Sequence, residues 1–415
     1  MTSSLAWLQF DESQARRSRE LIRALEEPTT LDSIGIGTIR DGFADILFPG
    51  TSTLHTRVRY FLLVPWAMKQ VAARRPRTRD QYDRWLREVE VRTIDMLKAG
   101  SPGALGIVGV DRGSRVQTLP STIYWNALAA WGIRADSALS RSELRDLVTS
   151  GRGARRSEDG QLYGYVVWDD LPPPPEGFPD VPLSILPNPE EADYLLARMA
   201  GTRLSRPSNG TPEPTVLATV ARRPQTALAP QVWDLPGDVL PGSLAEIVEL
   251  AWGFSLVIQG ARLRYLDLLF RHKAARGGVE LDRTDLDVLI EDWLAEMDRD
   301  AGRVSAWAGR LLDMYDLLTE HGVRIGTPLR SFVTGWCTAA AADPEAAFAS
   351  RGLAEAIIQR EASLKKGSAR LSQDSPLAHW SGQPVGSDRL SFRWPVASGH
   401  IRDCVVAKEV TGARA

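Results

Sequence analysis

Residues 33–66, SIGIGTIRDGFADILFPGTSTLHTRVRYFLLVPW, decide how the rest of the chain is read. Ile39, Phe43, Ile46 and Leu47 recur at helical spacing, which predicts an amphipathic helix. It is expected to stop at Phe48, because Pro49-Gly50 cannot easily continue it. Thr51, Ser52 and Thr53 each offer an oxygen to cap a new helix, and Leu54, Val58, Phe61 and Leu62 give it an apolar stripe. The expectation is a helical hairpin whose arms touch, with Pro65 kinking the second arm. The segment carries much polar cargo for one so apolar: Asp41 and Asp45 on one arm, His55, Arg57 and Arg59 on the other.

The chain around it is long enough, at 415 residues, for two or three domains with sizeable cores. Hydrophobic residues at 43% and charged residues at 25% are ordinary for a water-soluble globular protein. Only six of the 50 basic residues are Lys. Codon bias from a GC-rich genome is one reading of that ratio, but Arg also presents a fork suited to phosphate or carboxylate, so the Arg clusters are worth mapping. Cys337 and Cys404 match no metal spacing and read as reduced thiols. The opening MTSSLAWLQFDES lacks the layout of a signal peptide, and apolar runs such as 60–68 are too short to cross a bilayer. A cytoplasmic protein with no membrane partner, no cofactor and no metal site is expected.

In chain order, 12–27 reads as a helix and 80–100 as another, ended by Gly100. Residues 104–118 put Ile107, Val108, Val110 and Val116 around Asp111-Arg112-Gly113, which predicts a short β-hairpin. A compact helix follows at 119–133, then one opened by a Ser140/Glu143 capping box, then a strand at 162–169. Fourteen of the 26 prolines fall between 169 and 240, where only 187–201 looks helical, with Asn188-Pro189 as its start. Ser243/Glu246 reads as another capping box, opening a long helix through 275 whose Gly253 and Gly260 would let a neighbour come close. Thr327-Pro328 and Asp343-Pro344 read as further helix starts, and LSFRWPVA (390–397) as a closing strand. The fold class is therefore mainly α. Two helical lobes, 1–168 and 241–415, carry small β-hairpin elements and are joined by a Pro-rich linker or surface wrap at 169–240.

Three constellations carry possible chemistry. Asp41 and Asp45 lie one turn apart and, with His55, offer the donor types of a divalent-cation hydrolytic site. The competing and preferred reading is a polar network, with the carboxylates satisfied by Arg57 or Arg59. Between Arg57 and Arg92 ten basic residues face four acidic ones. Arg74, Arg75, Arg77, Arg79 and Arg84 are the candidates there for phosphate contact, against a solvated helix face. Lys365, Lys366 and Arg370 form a second candidate set on QREASLKKGSARL (359–371). P-loop, GxSxG, HExxH and CxxC patterns do not occur, and IGIGT (34–38) has glycines without a preceding strand.

The run GIGTIRDGFADILFPGTSTLHTRVRYFLLVPW resembles the hallmark of a bacterial family carried as a domain of unknown function. LAWLQF, LPSTIYWNALAAWGI, FSLVIQGARLRY, REASLKKGSARL and LSFRWPVA resemble its further motifs in the same order. The resemblance implies gene neighbourhoods for defence against phage, near helicases and nuclease-like proteins, and brings no catalytic residues with it. The expected role is an accessory, non-catalytic subunit that binds partner proteins, DNA or RNA. The alternatives are a metal-dependent phosphodiesterase using Asp41, Asp45 and His55, and a structural scaffold subunit.

Overall fold

The computed structural model describes residues 32–151, 154–156, 162–164, 167–205, 211–276, 282–380, 382 and 386–412. The helix expected at 12–27 and the opening motif at 5–10 lie outside them. The protein is mainly α. Its helices are α1 (Gly37–Leu47), α2 (Tyr60–Ala73), α3 (Arg79–Gly100), α4 (Pro120–Ala130), α5 (Arg141–Ser150), α6 (Pro189–Ala200) and α7 (Val216–Arg222). They continue with α8 (Gly242–Ala275), α9 (Thr284–Arg299), α10 (Ala301–Ala308), α11 (Leu311–Glu320) and α12 (Thr327–Ala342). The last are α13 (Pro344–Ala349), α14 (Arg351–Lys365), α15 (Asp374–Ala378) and α16 (Trp394–Gly412). Among the described residues the one sheet is a three-residue antiparallel ladder, Ala154–Arg156 against Leu162–Gly164.

Two compact units emerge. One holds residues up to Phe43 together with Pro241–Phe392; the other holds Ala44–Leu240 and Arg393–Ala415. The division passes through α1, inside the stretch quoted first.

The first unit is built on α8. Its 34 residues are long and apolar enough to cross a membrane by length and composition, against the expectation that the chain's apolar runs are too short for that. Yet 83% of its most apolar 18-residue window is buried inside the protein. Helices α9, α10, α12, α13, α14 and α15 pack against it. Three tryptophans fasten this packing: Trp293, Trp307 and Trp336 donate their indole N–H groups to the carbonyls of Leu256, Leu250 and Val257, each at 3.0 Å. Gly253 and Gly260 face two of those rings. A Cβ on Gly253 would lie 2.2 Å from the Trp307 ring, and one on Gly260 2.2 Å from the Trp293 ring. The close neighbours are thus indoles, whose N–H groups are satisfied by backbone oxygen while their rings are buried. The expected Ser243/Glu246 capping box is absent, because the helix starts at Gly242 and Pro241 precedes it without a side-chain cap.

In the second unit α2 packs on α3 and α4, and α16 packs on α6. Phe61 stacks on Trp131 with ring centroids 3.7 Å apart. The Ser140/Glu143 and Asn188/Glu191 capping boxes are both formed. Within the Pro-rich segment, α7 buries Val216, Leu217, Ala218 and Val220 completely. The Trp66 indole donates to the Pro172 carbonyl at 2.7 Å, and Gln70 donates to that of Phe178.

Several local expectations are overturned. The second arm of the hairpin begins at Tyr60 rather than at 51–53. Thr51 and Ser52 spend their oxygens on turns instead: the Thr51 hydroxyl donates to the Phe48 carbonyl, and the Ser52 hydroxyl accepts from the Leu54 amide. The hairpin predicted at 104–118 is a chain of turns with a short 3-10 segment at Gly113–Arg115. Gly103, Gly106, Gly109 and Gly113 all take positive φ there, which breaks any extended run. The closing strand at 390–397 is the entry to α16. Phe392 and Arg393 turn through positive φ, and Pro395 sits in the first helical turn, where its missing N–H has no partner to lose.

Candidate functional site

The basic run centres on the turn between α2 and α3. Thr78 caps α3 by accepting from the Gln81 amide, and Gln81 in turn accepts the Arg77 amide at 2.8 Å. The turn is therefore pinned from both sides, and Arg75 within it has a φ of 54°. Several cations are neutralised: Arg74 lies 3.6 Å from Glu88, and Arg79 lies 2.6 Å from Asp146. Arg92 pairs with Glu88 and Asp180, and Arg87 donates to the Ser114 and Val116 carbonyls. Lys69, Arg75, Arg77 and Arg84 are exposed and have no acidic partner among the described residues. Beside them an open groove of about 720 Å³ is lined by Arg77, Arg79, Glu143, Asp146, Thr149 and Ser150.

The second candidate set falls in the other unit. Lys365 ends α14 half-buried, Lys366 is exposed with a φ of 50°, and Arg370 is buried at 4% exposure. The Arg370 and Leu371 amides donate to the Glu361 carboxylate, which also accepts the Tyr265 hydroxyl. This cluster is an anchor for the turn after α14 as much as a basic surface.

The three hydrolytic candidates are not brought together as free donors. Asp41 is held by Arg40 through two bonds of 3.0 and 3.1 Å. Asp45 accepts Arg393 at 2.6 Å, not Arg57 or Arg59, and its side chain is 67% exposed. His55 is buried, stacked on Tyr124 at 4.2 Å, with Nε2 3.3 Å from the Ile123 carbonyl. Burial pushes its pKa down to about 4. Among the described residues no group of three His, Cys, Asp or Glu side chains is placed to hold a metal ion.

What surrounds His55 is a buried network that sequence reasoning did not find. His400, on α16, lies 5.8 Å away ring to ring, and burial holds it neutral well below the usual imidazole range. Asp403, one turn on, accepts the Val58 amide at 3.2 Å and pairs with Arg57 at 3.2 Å. Burial raises its pKa, and Arg57 works against that rise. Tyr124 accepts the Thr56 amide and donates to the Arg57 carbonyl. Arg59 is committed to Glu191 at 2.7 Å, both nearly fully buried. The available signal was the i,i+3 spacing of His400 and Asp403, just beyond the residues 390–397 that read as a closing strand.

A second buried carboxylate sits at the start of α4. Glu90, on α3, accepts the Ser121 amide at 2.7 Å and the Ser121 hydroxyl at 2.9 Å, so it caps α4 from a neighbouring helix. Burial raises its pKa to about 7, against the lowering effect of the Ser121 bonds and of Arg141 and Arg87.

No curated protein and no solved structure matches this chain. The family of unknown function DUF6361 matches residues 2–407, nearly the whole sequence, and the chain belongs to that family.

Proposed function

We propose that this protein is a non-catalytic binding subunit that holds nucleic acid on the basic turn of its second unit and engages protein partners in bacterial antiviral defence. The observation that carries the nucleic-acid reading is the set Lys69, Arg75, Arg77 and Arg84, four exposed cations without acidic partners among the described residues. Arg75 and Arg77 stand on the pinned turn and Lys69 and Arg84 on the two flanking helices; un-neutralised cations so placed cost little to bring against a phosphate backbone, and binding there releases counterions. Such contact reads charge, not base sequence. The state of Asp41, Asp45 and His55 favours binding over hydrolysis: each is engaged in an ion pair or buried against aromatic rings. The defence setting, with helicase or nuclease-like partners, rests on the resemblance of the motifs.

The test is a shift assay across a salt series, with wild type and the triple variant Arg75→Glu, Arg77→Glu, Arg84→Glu. With four contacts the log–log salt slope should be about −3 to −4, and the variant should lose affinity while keeping its melting temperature. Absence of binding at low salt, alone or with partners recovered from the host, would overturn the nucleic-acid reading in favour of a protein scaffold.

A further inference from the structure

Two arginines bracket the basic turn, Arg74 just before it and Arg79 just after it, and both are held in the same way. Each is the first member of an alternating network of charges. Arg79 lies 2.6 Å from Asp146, Asp146 lies 3.7 Å from Arg145, and Arg145 lies 2.8 Å from Asp83. Arg74 lies 3.6 Å from Glu88, Glu88 lies 3.7 Å from Arg92, and Arg92 pairs with Asp180. Asp146 and Glu88 are therefore shared, each between an arginine beside the turn and a second arginine, Arg145 on α5 or Arg92 further along α3.

Sharing makes the first arginine separable. A carboxylate left by its one cation keeps an uncompensated charge, whereas Asp146 retains Arg145 and Glu88 retains Arg92. The pairs are also open to water: the side chains of Arg79 and Asp146 are 64% and 41% exposed, and those of Arg74 and Glu88 31% and 50%. Exposed ion pairs are weak and screened, so exchanging one partner for another costs little. Arg79 and Asp146 both line the open groove beside the turn, where a ligand can reach them. Arg77, exposed and without an acidic partner among the described residues, is two residues from Arg79, at most ~7 Å along the backbone. A phosphodiester strand held on Arg75 and Arg77 thus presents its next phosphate to Arg79 at high effective concentration, and a guanidinium can take a phosphate through two parallel bonds.

We propose that Asp146 and Glu88 are built-in competitors for phosphate. A strand settling on the turn takes Arg79 from Asp146 and Arg74 from Glu88, and the two carboxylates fall back on Arg145 and Arg92. Lys69, Arg75, Arg77 and Arg84 are open to any anion, while Arg74 and Arg79 are yielded only to one long enough to reach past them. The turn thereby favours a polyanionic strand over a single phosphate. This rests on the nucleic-acid reading above and adds to it the residues that set the preference. An exchanged contact adds affinity without the full salt dependence of a free cation, because the network left one cation short draws in a counterion as the strand gives one up.

A double-mutant cycle tests this on the full chain, read by fluorescence anisotropy of a single-stranded oligonucleotide across a salt series. Asp146→Asn keeps the side-chain shape and removes the charge. It should tighten binding about two- to fivefold and steepen the log–log salt slope by up to about 0.9. In an Arg79→Gln background the same substitution should lose that gain. Asp80→Asn controls for charge at a distance, since Asp80 is exposed in the first turn of α3 and pairs with no cation among the described residues; its effect should be small and equal in both backgrounds. Glu88→Gln with Arg74→Gln repeats the cycle at the other end of the turn, and carries the test if circular dichroism shows an Asp146 variant unfolded. In otherwise wild-type protein, Arg79→Gln should weaken the oligonucleotide and leave calorimetric binding of inorganic phosphate unchanged; an equal loss for both overturns the preference for a strand. A gain from Asp146→Asn that persists once Arg79 is replaced, or no gain at either end of the turn, overturns the proposal while the nucleic-acid reading stands. No binding by wild type or variants even at low salt overturns both.

Discussion

Replacing Glu90 by glutamine should stabilise the protein in mild alkali and leave it unchanged in acid. The carboxylate is 3% exposed and pairs with no cation among the described residues; its bonds are to the Ser121 amide and hydroxyl. Folding raises its pKa from 4.5 to about 7, with burial the largest cause. A carboxyl whose folded pKa is raised binds its proton more tightly in the native state, so native stability falls as pH rises from about 4.5 through 7. A shift of that size amounts to ~3 kcal/mol lost above the folded pKa, at 1.36 kcal/mol per unit. Glutamine keeps the geometry: its carbonyl can accept the Ser121 amide, and its NH2 can donate to the hydroxyl. Urea melts at several values between pH 4.5 and 8 should therefore show the two proteins converging in acid and diverging with pH, the variant ahead by up to ~3 kcal/mol at the top. Parallel pH profiles, or a variant that is weaker at pH 8, would refute the idea that an uncompensated buried charge sits at this helix start.

Gly253→Ala and Gly260→Ala should each destabilise by about 1–3 kcal/mol or more, because the added methyl collides with the Trp307 or Trp293 ring; thermal melts of the two variants check this. Arg59→Ala should cost about 3–5 kcal/mol by stranding Glu191 in the core, whereas Asp45→Ala should cost at most ~1 kcal/mol because its pair with Arg393 is exposed on one side. A melt that ranks these two variants the other way would mean the burial argument is wrong. Limited proteolysis should spare Val216–Arg222, since α7 is fully buried along one face; early cleavage there would show that the Pro-rich segment opens readily.

Much of the helical architecture was legible in the sequence because periodicity and caps are local. The box at Ser140, the cap at Asn188, the helix expected at 80–100 and the small-residue pair in α8 follow from spacing alone. Misreadings clustered where one local signal admits two structures. Alternating apolar residues at 390–394 describe an extended approach to a helix as well as a strand, and positive φ at Phe392 and Arg393 decides between them. Asp111-Arg112-Gly113 between apolar residues reads as a hairpin turn, but positive φ at Gly103, Gly106, Gly109 and Gly113 makes successive turns instead. The length of α8 was visible, but whether a 34-residue apolar helix meets lipid or protein depends on what packs around it.

The sequence by itself determined that the chain is mainly α, that residues 33–66 are apolar with charges set into them, and that a basic run follows them through Arg92. Tertiary structure alone decided whom those charges meet. Asp45 was expected to find Arg57 or Arg59 and finds Arg393; Arg59 takes Glu191, and Arg57 takes Asp403. His55 acquires His400 as a neighbour from the far end of the chain. The physical reason is range. A helix face is specified by residues three and four apart, whereas an ion pair is specified by whichever opposite charge the packed core brings within about 4 Å.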